Sequence, residues 1–354
     1  MQLQRLSGKD CLELRPLWEE VFWEDSREFT DYYFANKADK NQGYALWEKK
    51  YLSMLYLTNY EMQVRSGENF LIVTAPYIVG VATKEQERHK GYMRTLLENA
   101  MQDMYQSKIP FCFLMPANPK IYEPFGFHYI YDRKIYRLHQ PVSDYEKMTV
   151  TDIPRIKDYV NQKLKRQFDV FTKRDRAYYQ LLVNELAAQN GGIYFAGQRN
   201  KERNITGYFW YAKEEEQEEI GELLQDEETV AAVTTMKPQI MARIINIEEM
   251  LSFICSAKEK LELKIAVQDE QIAANKGIYE WVLTPTGSIA AKNNSSCKVA
   301  QADCSVTIAD LTAFLFGYKS AGQCFQISNE NKEKVLCKLN SIKVLSKVFL
   351  NEIV

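Results

Sequence analysis

Several common features are missing from this 354-residue chain, and each absence excludes a class of protein. No apolar run approaches the length of a membrane helix, and the first ten residues hold no apolar segment of the signal-peptide kind. The seven cysteines are scattered without a CxxC pair, so we expect reduced thiols and predict no metal site. The formal net charge of −2 gives no global attraction to nucleic acid. We therefore expect a cytoplasmic protein with neither a membrane nor a nucleic-acid partner.

What the sequence does contain favours several domains. Hydrophobic residues make up 46% of the chain, which is ample for sizeable cores, and the length suggests two or three domains. Sequence patterns predict helices over residues 10–22 and 26–34. They then predict a meander of strands over 53–57, 61–64 and 70–74, separated by turns at 58–60 and 66–69. A second block, starting near residue 149, weakly repeats the order of helix, helix, hairpin and strand.

The most informative segment is a basic loop between an apolar strand and an amphipathic helix. The apolar run ends at Thr83, and residues 94–106 place apolar side chains at helical spacing. The loop between them contains Arg88, His89, Lys90 and Gly91. The first N–H groups of a helix lack internal partners and carry partial positive charge, and glycine permits close backbone approach. The pattern predicts a site for phosphate or pyrophosphate.

The same pattern also occurs in ordinary connecting loops, so the loop alone is weak evidence for phosphate binding. It is not a Walker loop, because no Gly-Lys-Ser/Thr follows. It is not a dinucleotide fingerprint either, because the second and third glycines are missing.

A second motif follows the next apolar strand. Residues 110–115 are typical of a buried strand, and Tyr122 then begins the sequence Tyr-Glu-Pro-Phe-Gly-Phe. Together with Arg88-x-x-Gly91-x-Met93, this motif resembles the GNAT superfamily of acetyl-CoA-dependent acyltransferases. Met93 stands where glycine or alanine is usual. Three basic residues, glycine and two large residues in sequence resemble the Eis-like (enhanced intracellular survival) branch of that superfamily.

The resemblance implies a fold class that combines α+β and α/β features. We expect tandem GNAT domains, each a mixed sheet flanked by helices, and a sterol carrier protein-like α+β domain. Residues 1–148 would form the GNAT domain with the acetyl-CoA site, 149–238 a degenerate second GNAT domain, and 239–354 the sterol carrier protein-like domain. Core packing explains the aliphatic stripe of the third block at least as well as a bound lipid, so sterol binding is not inferred.

Acyl transfer from a thioester to an amine needs a polarised carbonyl, a neutral amine and a proton for the leaving thiolate. By resemblance, Tyr122 is the general acid that protonates the sulfur, although packing beside other aromatic residues would also explain a tyrosine there. Acetyl-CoA is the expected co-substrate. The resemblance places these residues around it: Val81, Thr83, Arg88, His89, Lys90, Gly91, Tyr92, Met93 and Asn118.

The general base is not evident from the residues. The chain has only three histidines, and none has a position that recommends it. In the Eis-like branch the terminal carboxylate of the chain acts as base, so the resemblance implies this role for Val354. The apolar final residues suit a buried terminus, but a frayed, solvated tail explains them equally well.

The acceptor pocket of the Eis-like branch lies near the early helices, and the resemblance assigns Phe22, Asp25 and Tyr33 to it. The Asp25 carboxylate could hold an ammonium group. It could equally be the N-cap of the helix that follows. The sequence leaves this choice open.

Two classes of function remain. The first is an acetyl-CoA-dependent N-acetyltransferase that acts on a primary amine of a small molecule or a peptide, with aminoglycosides one example by resemblance. The second is a non-catalytic acyl-CoA or lipid-binding protein that retains the fold. The intact Arg88, Gly91 and Tyr122 favour the enzyme. A homo-oligomer is compatible with both classes.

Overall fold

The structure is a computed structural model that describes residues 1–197, 205–214, 217–293, 302–328 and 331–352. Its α-helices are Arg15–Val21 (α1), Arg27–Asn36 (α2), Tyr92–Gln106 (α3), Ile153–Gln167 (α4), Arg176–Ala188 (α5), Ile247–Ser252 (α6), Ile308–Leu315 (α7), Ala321–Cys324 (α8) and Lys332–Asn340 (α9). Within the described ranges, no helix is both long enough and apolar enough to cross a membrane.

The strands are Gln2–Ser7 (β1), Gln42–Trp47 (β2), Tyr51–Ser66 (β3), Asn69–Thr83 (β4), Phe111–Leu114 (β5), His128–Leu138 (β6), Glu146–Lys147 (β7), Val170–Thr172 (β8), Gly192–Gly197 (β9), Ile205–Glu214 (β10), Gln217–Gln225 (β11), Ala231–Ile244 (β12), Cys255–Ser256 (β13), Leu261–Gln268 (β14), Gly277–Thr284 (β15), Gly287–Asn293 (β16), Cys304–Thr307 (β17), Gln326–Ile327 (β18), Ile342–Lys343 (β19) and Val348–Phe349 (β20). Short 3-10 helices include Gly8–Leu14, Glu85–Glu87, Pro119–Ile121, Glu123–Phe125 and Ala273–Asn275.

The first sheet has the order β1-β2-β3-β4-β5-β12-β6, and β8 and β20 extend it beside β3. Helices α1 and α2 pack on one face of this sheet and α3 on the other. Strands β4 and β5 are parallel and pair at Tyr77 opposite Phe113. Beyond this point, residues 78–83 of β4 have no partner on the β5 side within the described sheet. This edge of β4 is therefore open to a ligand.

The predicted meander in the first sheet is wrong in one respect. Residues 58–60 are not a turn, because β3 continues through them and pairs with β4 at Thr58 opposite Tyr77 and Tyr60 opposite Ala75. Strand β3 pairs with β4 both before and after these residues along the chain. That pairing outweighs the weak preference of residues 58–60 for a turn. The result is one long hairpin in place of three short strands.

Strand β12 joins the first two blocks of the chain. It follows the second block in sequence, yet it lies between β5 and β6 of the first sheet. The predicted domain boundary between residues 238 and 239 falls within this strand. The second sheet has the order β11-β10-β9-β7, and α4 and α5 pack against it. The predicted order of two helices and a hairpin is confirmed for this block.

The third block forms a five-stranded sheet of order β16-β15-β14-β17-β18, flanked by α6 to α9. Its interior is filled by large side chains, including the fully buried Trp281 and Leu311. The first sheet and the sheet of the third block are mixed, the described sheet of the second block is antiparallel, and helices flank all three, so the predicted fold class is confirmed.

One buried ion pair joins the third block to the first sheet. The Nη2 atom of Arg243, on β12, donates to both carboxylate oxygens of Asp269 at 2.8 and 2.9 Å, and both side chains are fully buried. Asp269 also accepts from the side chain of Asn275, which in turn donates to Ile245 O at 2.8 Å. A buried charge of this kind is tolerated only while its partner stays in place.

We therefore predict that Arg243→Met destabilises the protein by about 3–5 kcal/mol, because it leaves the Asp269 carboxylate buried without its counter-charge. The measurement is the free energy of unfolding in denaturant. Arg5→Met is the matched control, since Arg5 pairs with Asp103 at the surface, where such pairs contribute about 0–1 kcal/mol. Equal losses in the two variants would contradict this account.

Candidate active site

The open edge of β4 begins at a bulge centred on Gly80. The pairing of β3 with β4 shifts by one residue there, so that Leu55 lies opposite both Gly80 and Val81. Gly80 has a φ of 59°, in the left-handed region that favours glycine. A Cβ atom on Gly80 would come within 2.6 Å of the Trp18 ring, so no larger residue fits without moving α1. The bulge thus turns the end of β4 while Trp18 packs directly against it.

The predicted phosphate loop connects this strand to α3. Gly91 is the N-cap of α3 with a φ of 83°, and His89 has a φ of 65°, which is unusual for a residue with a side chain. A Cβ atom on Gly91 would meet no atom within 4 Å, so the space in front of the helix end is open. The side chains of Arg88, His89 and Lys90 are exposed around it.

One contact joins the loop to the strand, and a second lies within the loop. The Nε atom of Arg88 donates to Thr83 O at 3.4 Å, and Lys90 forms an ion pair with Glu87 at 2.9 Å. The Thr83 hydroxyl lies 2.7 Å from the hydroxyl of Ser53 on β3. Helix α3 is 15 residues long and begins directly after the loop. The free N–H groups and the partial positive charge of its N-terminus therefore lie beside this exposed basic surface.

Tyr122 lies between two short 3-10 helices after β5. Its ring packs edge-on against Phe127 at 5.9 Å between centroids, and the residue is 8% exposed. The Tyr122 hydroxyl donates no hydrogen bond to any described residue. Burial raises the pKa of Tyr122 to about 12, so the phenol keeps its proton at neutral pH. The turn closes at Gly126, which has a φ of 82°.

The structure brings several predicted site residues into one cluster. Val81, Tyr92 and Met93 pack around the same apolar cluster that contains Tyr122. Asn118 lies on the loop before Tyr122, where its side chain accepts from the Lys120 N–H at 3.1 Å. That bond makes Asn118 the N-cap of the 3-10 helix that leads into Tyr122.

The predicted acceptor residues lie on the α1–α2 side of the same sheet. Asp25 is half-buried and accepts a 2.8 Å hydrogen bond from Trp18 Nε1. Burial raises the pKa of the Asp25 carboxyl, and the bond from Trp18 opposes the rise. The N-cap of α2 is Ser26, whose side chain accepts from Phe29 N, so the N-cap alternative for Asp25 is wrong. Ser26 has the shorter side chain and directly precedes the first helical residue.

Phe22 and Tyr33 both contact Trp18. Phe22 is half-buried with its ring 4.8 Å from that of Trp18, whereas Tyr33 stacks on Trp18 at 4.5 Å and is fully buried. The Tyr33 hydroxyl accepts from Asn41 Nδ2 at 2.9 Å. Tyr33 is therefore covered by its neighbours, Trp18 among them, and presents no surface to a substrate.

A cavity of about 730 Å³ opens beside Asp25, between the α1–α2 loop, β6 and the second sheet. Four carboxylates line it, from Glu24, Asp25, Glu218 and Glu219. The cationic side chains in the lining are those of Arg133 and Lys237, and Arg133 is ion-paired to Glu219. The lining therefore carries excess negative charge and attracts cations.

The last described residues enter the protein interior. Strand β20 pairs with β8, and residues 348–352 are all buried, so a frayed tail is wrong for this segment. Glu352 accepts from Tyr178 Oη at 3.1 Å and from Arg174 Nη2 at 3.5 Å. Arg174 also donates to Glu222 at 2.9 Å, and burial raises the pKa of Glu222. Ile353 and Val354 lie outside the described residues.

A second cavity, of about 550 Å³, lies where the three blocks meet. Its wall includes Tyr131, Phe168, Phe316 and Phe349, and none of the predicted site residues. Among the described residues, no cluster of His, Cys, Asp and Glu side chains is arranged to hold a metal ion.

Three residues of this region were missed by sequence reasoning. A lone Gly80 inside a strand pattern is a recognised indication of a bulge and could have been found. Trp18 and Glu352 could not, because their roles depend on contacts with residues distant in the chain.

Comparison with known proteins identifies two domains in the chain. Residues 2–130 match the family model of the acetyltransferase (GNAT) domain, and residues 249–350 match that of the sterol carrier protein domain. A search of curated protein sequences found no significant match.

Three similar crystal structures cover almost the whole chain. A protein of unknown function from Enterococcus faecalis, described as a probable N-acyltransferase, has a TM-score of 0.78 at 16% identity over 99% of both chains. A GCN5-related N-acetyltransferase from Anabaena variabilis has a TM-score of 0.74 at 16% identity, over 98% of this chain and 99% of that one. Eis1 from Mycobacterium abscessus has a TM-score of 0.71 at 11% identity, over 99% and 100%.

At these identities the crystal structures establish the shared fold, and the two family models establish the domains. The chain therefore contains a GNAT acetyltransferase domain at residues 2–130 and a sterol carrier protein domain at residues 249–350, and it shares the overall fold of Eis1.

Proposed function

We propose that this acyltransferase transfers an acetyl group from acetyl-CoA to a primary amine of a small molecule or peptide. The observation that carries the proposal is the meeting of three features in one cluster of a GNAT domain. These features are the open edge of β4, the glycine-capped start of α3 and the protonated Tyr122. They match the three parts of the donor: the pantetheine arm, the pyrophosphate and the thioester sulfur.

The donor would lie along β4 and end at the loop. Backbone groups near Val81 and Thr83 face the pantetheine arm, and the pyrophosphate lies on the N–H groups of residues 91–93. Arg88, His89 and Lys90 supply positive charge, and Tyr92 and Met93 form the apolar floor. Asn118 contributes by holding the turn that carries Tyr122.

In the reaction, the neutral amine nitrogen attacks the thioester carbonyl and forms the new C–N bond. The C–S bond then breaks, and Tyr122 donates its proton to the departing sulfur. Burial raises the pKa of Tyr122 to about 12, so the phenol is protonated at neutral pH and carries the proton that the sulfur needs. The proton lost by the amine goes to a base, for which we propose the carboxylate of Val354. The buried path of residues 348–352 supports this choice.

The acidic cavity supports an acceptor with more than one positive charge. Glu24, Asp25, Glu218 and Glu219 would attract a cationic molecule, and Asp25 next to Trp18 would hold one ammonium group. Phe22, which packs on Trp18 outside the lining of the cavity, would add an apolar contact. Aminoglycoside-like molecules and lysine-containing peptides both have this chemistry.

The six free cysteines among the described residues support a cytoplasmic location.

The direct test is thiol release from acetyl-CoA in the presence of a panel of amines. The panel should contain monoamines, diamines, an aminoglycoside, a lysine peptide and a neutral polyol as control, and mass spectrometry should follow the acetylated product. We expect turnover with multiply charged amines and none with the polyol. Binding of CoA without thiol release from any amine would favour the non-catalytic alternative.

The CoA site predicts that Gly91→Asp abolishes CoA binding. The substitution adds bulk and negative charge where the pyrophosphate would lie, and it strains a residue with a φ of 83°. Isothermal titration calorimetry with CoA measures the effect. Gly287→Asp is the control, because a Cβ atom on Gly287 meets no atom within 4 Å and the residue lies in the sterol carrier protein domain. Unchanged affinity in the Gly91 variant would remove the pyrophosphate from this loop.

The acid role predicts that Tyr122→Phe lowers turnover by about 10²- to 10⁴-fold with unchanged CoA affinity. The matched control is Tyr194→Phe, whose ring stacks on Phe209 in the second sheet. Because the pKa of Tyr122 is about 12, the wild-type rate should show no loss from its ionisation below about pH 10. A Tyr122→Phe variant with nearly full rate would assign the ring to packing alone.

The base proposal predicts that three residues appended after Val354 lower turnover by about 10²-fold or more while CoA still binds. The extension moves the terminal carboxylate without altering the CoA loop. The control carries the same residues before Met1. If both tagged forms turn over equally, the base is another carboxylate, such as Asp25, or a water molecule.

A further inference from the structure

A loop of the sterol carrier protein domain, residues 269–275, packs against the turn that carries Tyr122. Ile272 is 1% exposed and belongs to the same apolar cluster as Tyr122 and Phe125. Gln271 Nε2 donates a 3.2 Å hydrogen bond to Pro124 O, within the turn. The two domains therefore meet at the turn that carries the proposed general acid, through the hydrogen bond to Pro124 and through a shared apolar cluster.

The loop itself is rigidly held. The Asp269 carboxylate accepts from the backbone N–H groups of Gln271 at 2.9 Å and Ile272 at 3.0 Å. The same carboxylate is bound by Arg243 on β12, next to β5 of the GNAT sheet. The position of Ile272 is thus fixed relative to the sheet that carries the donor site.

The sterol carrier protein domain also packs against the other end of this turn, at Gly126. A Cβ atom on Gly126 would lie 2.7 Å from Ile308 Cγ2 and 3.4 Å from Arg243 Nη1. Ile308 begins α7 of the sterol carrier protein domain. Residues 122–126 are therefore confined on two sides by that domain.

This confinement matters because nothing else directs the Tyr122 hydroxyl. It makes no hydrogen bond within the described part of the chain, so packing of the ring alone sets the position of its oxygen atom. A general acid must lie within hydrogen-bond reach of its target, and a displacement of about 1 Å can cost about 100-fold in rate.

We propose that residues 269–275 position Tyr122 for proton donation, so that the sterol carrier protein domain is a working part of the acetyl-transfer site. Gln271 and Ile272 are the positioning residues, and neither touches the reacting atoms. The proposal rests on the proposed role of Tyr122 as general acid.

The test uses the full chain and a series of acetyl-CoA analogues whose leaving thiols differ in pKa. A misplaced acid makes the rate depend more steeply on the pKa of the leaving thiol, because an acidic thiol departs without help. A merely structural defect lowers the active fraction and slows all donors equally. We expect Gln271→Ala to lose about 3- to 10-fold with acetyl-CoA, the range for one hydrogen bond, and much less with the most acidic thiol.

Ile272→Ala should lose up to about 100-fold with acetyl-CoA and show the same steeper dependence, with CoA affinity unchanged in calorimetry. The matched control in the same loop is Glu270→Gln, since the Glu270 side chain is 81% exposed. This control should behave as wild type. If Ile272→Ala fails to fold, the Gln271 variant still decides, because it keeps the backbone bonds to Asp269.

Tyr122→Phe, measured in the same series, separates the two claims. If it steepens the dependence on the leaving thiol and the loop variants do not, the positioning role is overturned and the acid role stands. If Tyr122→Phe leaves the dependence unchanged, Tyr122 is not the acid, and the positioning role falls with it.

Discussion

The buried ion pair between Arg243 and Asp269 is the contact on which the arrangement of domains depends. Arg243 lies on β12, the strand that links the second block to the third and lies within the first sheet, and Asp269 belongs to the sterol carrier protein domain. One guanidinium group therefore connects three parts of the chain. Desolvating two charges is costly, and the many hydrogen bonds to Asp269 show how the structure compensates for that cost. The turn that carries Tyr122 lies next to this pair and depends on its position.

The local parts of the site could be predicted from the sequence because their determinants are close together in the chain. Gly91 is expected to permit close backbone approach before a segment of helical periodicity, and the structure has it as the N-cap of α3, so loop and helix follow from one short segment. The placement of β12 between β5 and β6 could not be predicted, since a buried strand pattern does not specify its neighbours. The same limit explains the predicted turn at residues 58–60, where pairing with β4 determines the outcome.

The acceptor side shows the limit most clearly. Asp25 and Ser26 are adjacent, and both are good N-cap residues, so only the geometry could assign the cap to Ser26. The acidic cavity combines Glu24 and Asp25 with Glu218 and Glu219, which are far apart in the chain. Glu352 likewise reads as a solvated acid near the end of the sequence, yet Arg174 and Tyr178 hold it in the interior.

The most direct test of the central claim is a crystal structure of the protein with CoA bound. The account predicts the pyrophosphate on the N–H groups of residues 91–93, the pantetheine arm along β4 beyond Tyr77, and the sulfur within about 3–4 Å of the Tyr122 hydroxyl. The contrary result is CoA bound elsewhere, such as in the cavity lined by Phe168 and Phe316, or a sulfur directed away from Tyr122. That result would contradict both the donor site and the proposed general acid.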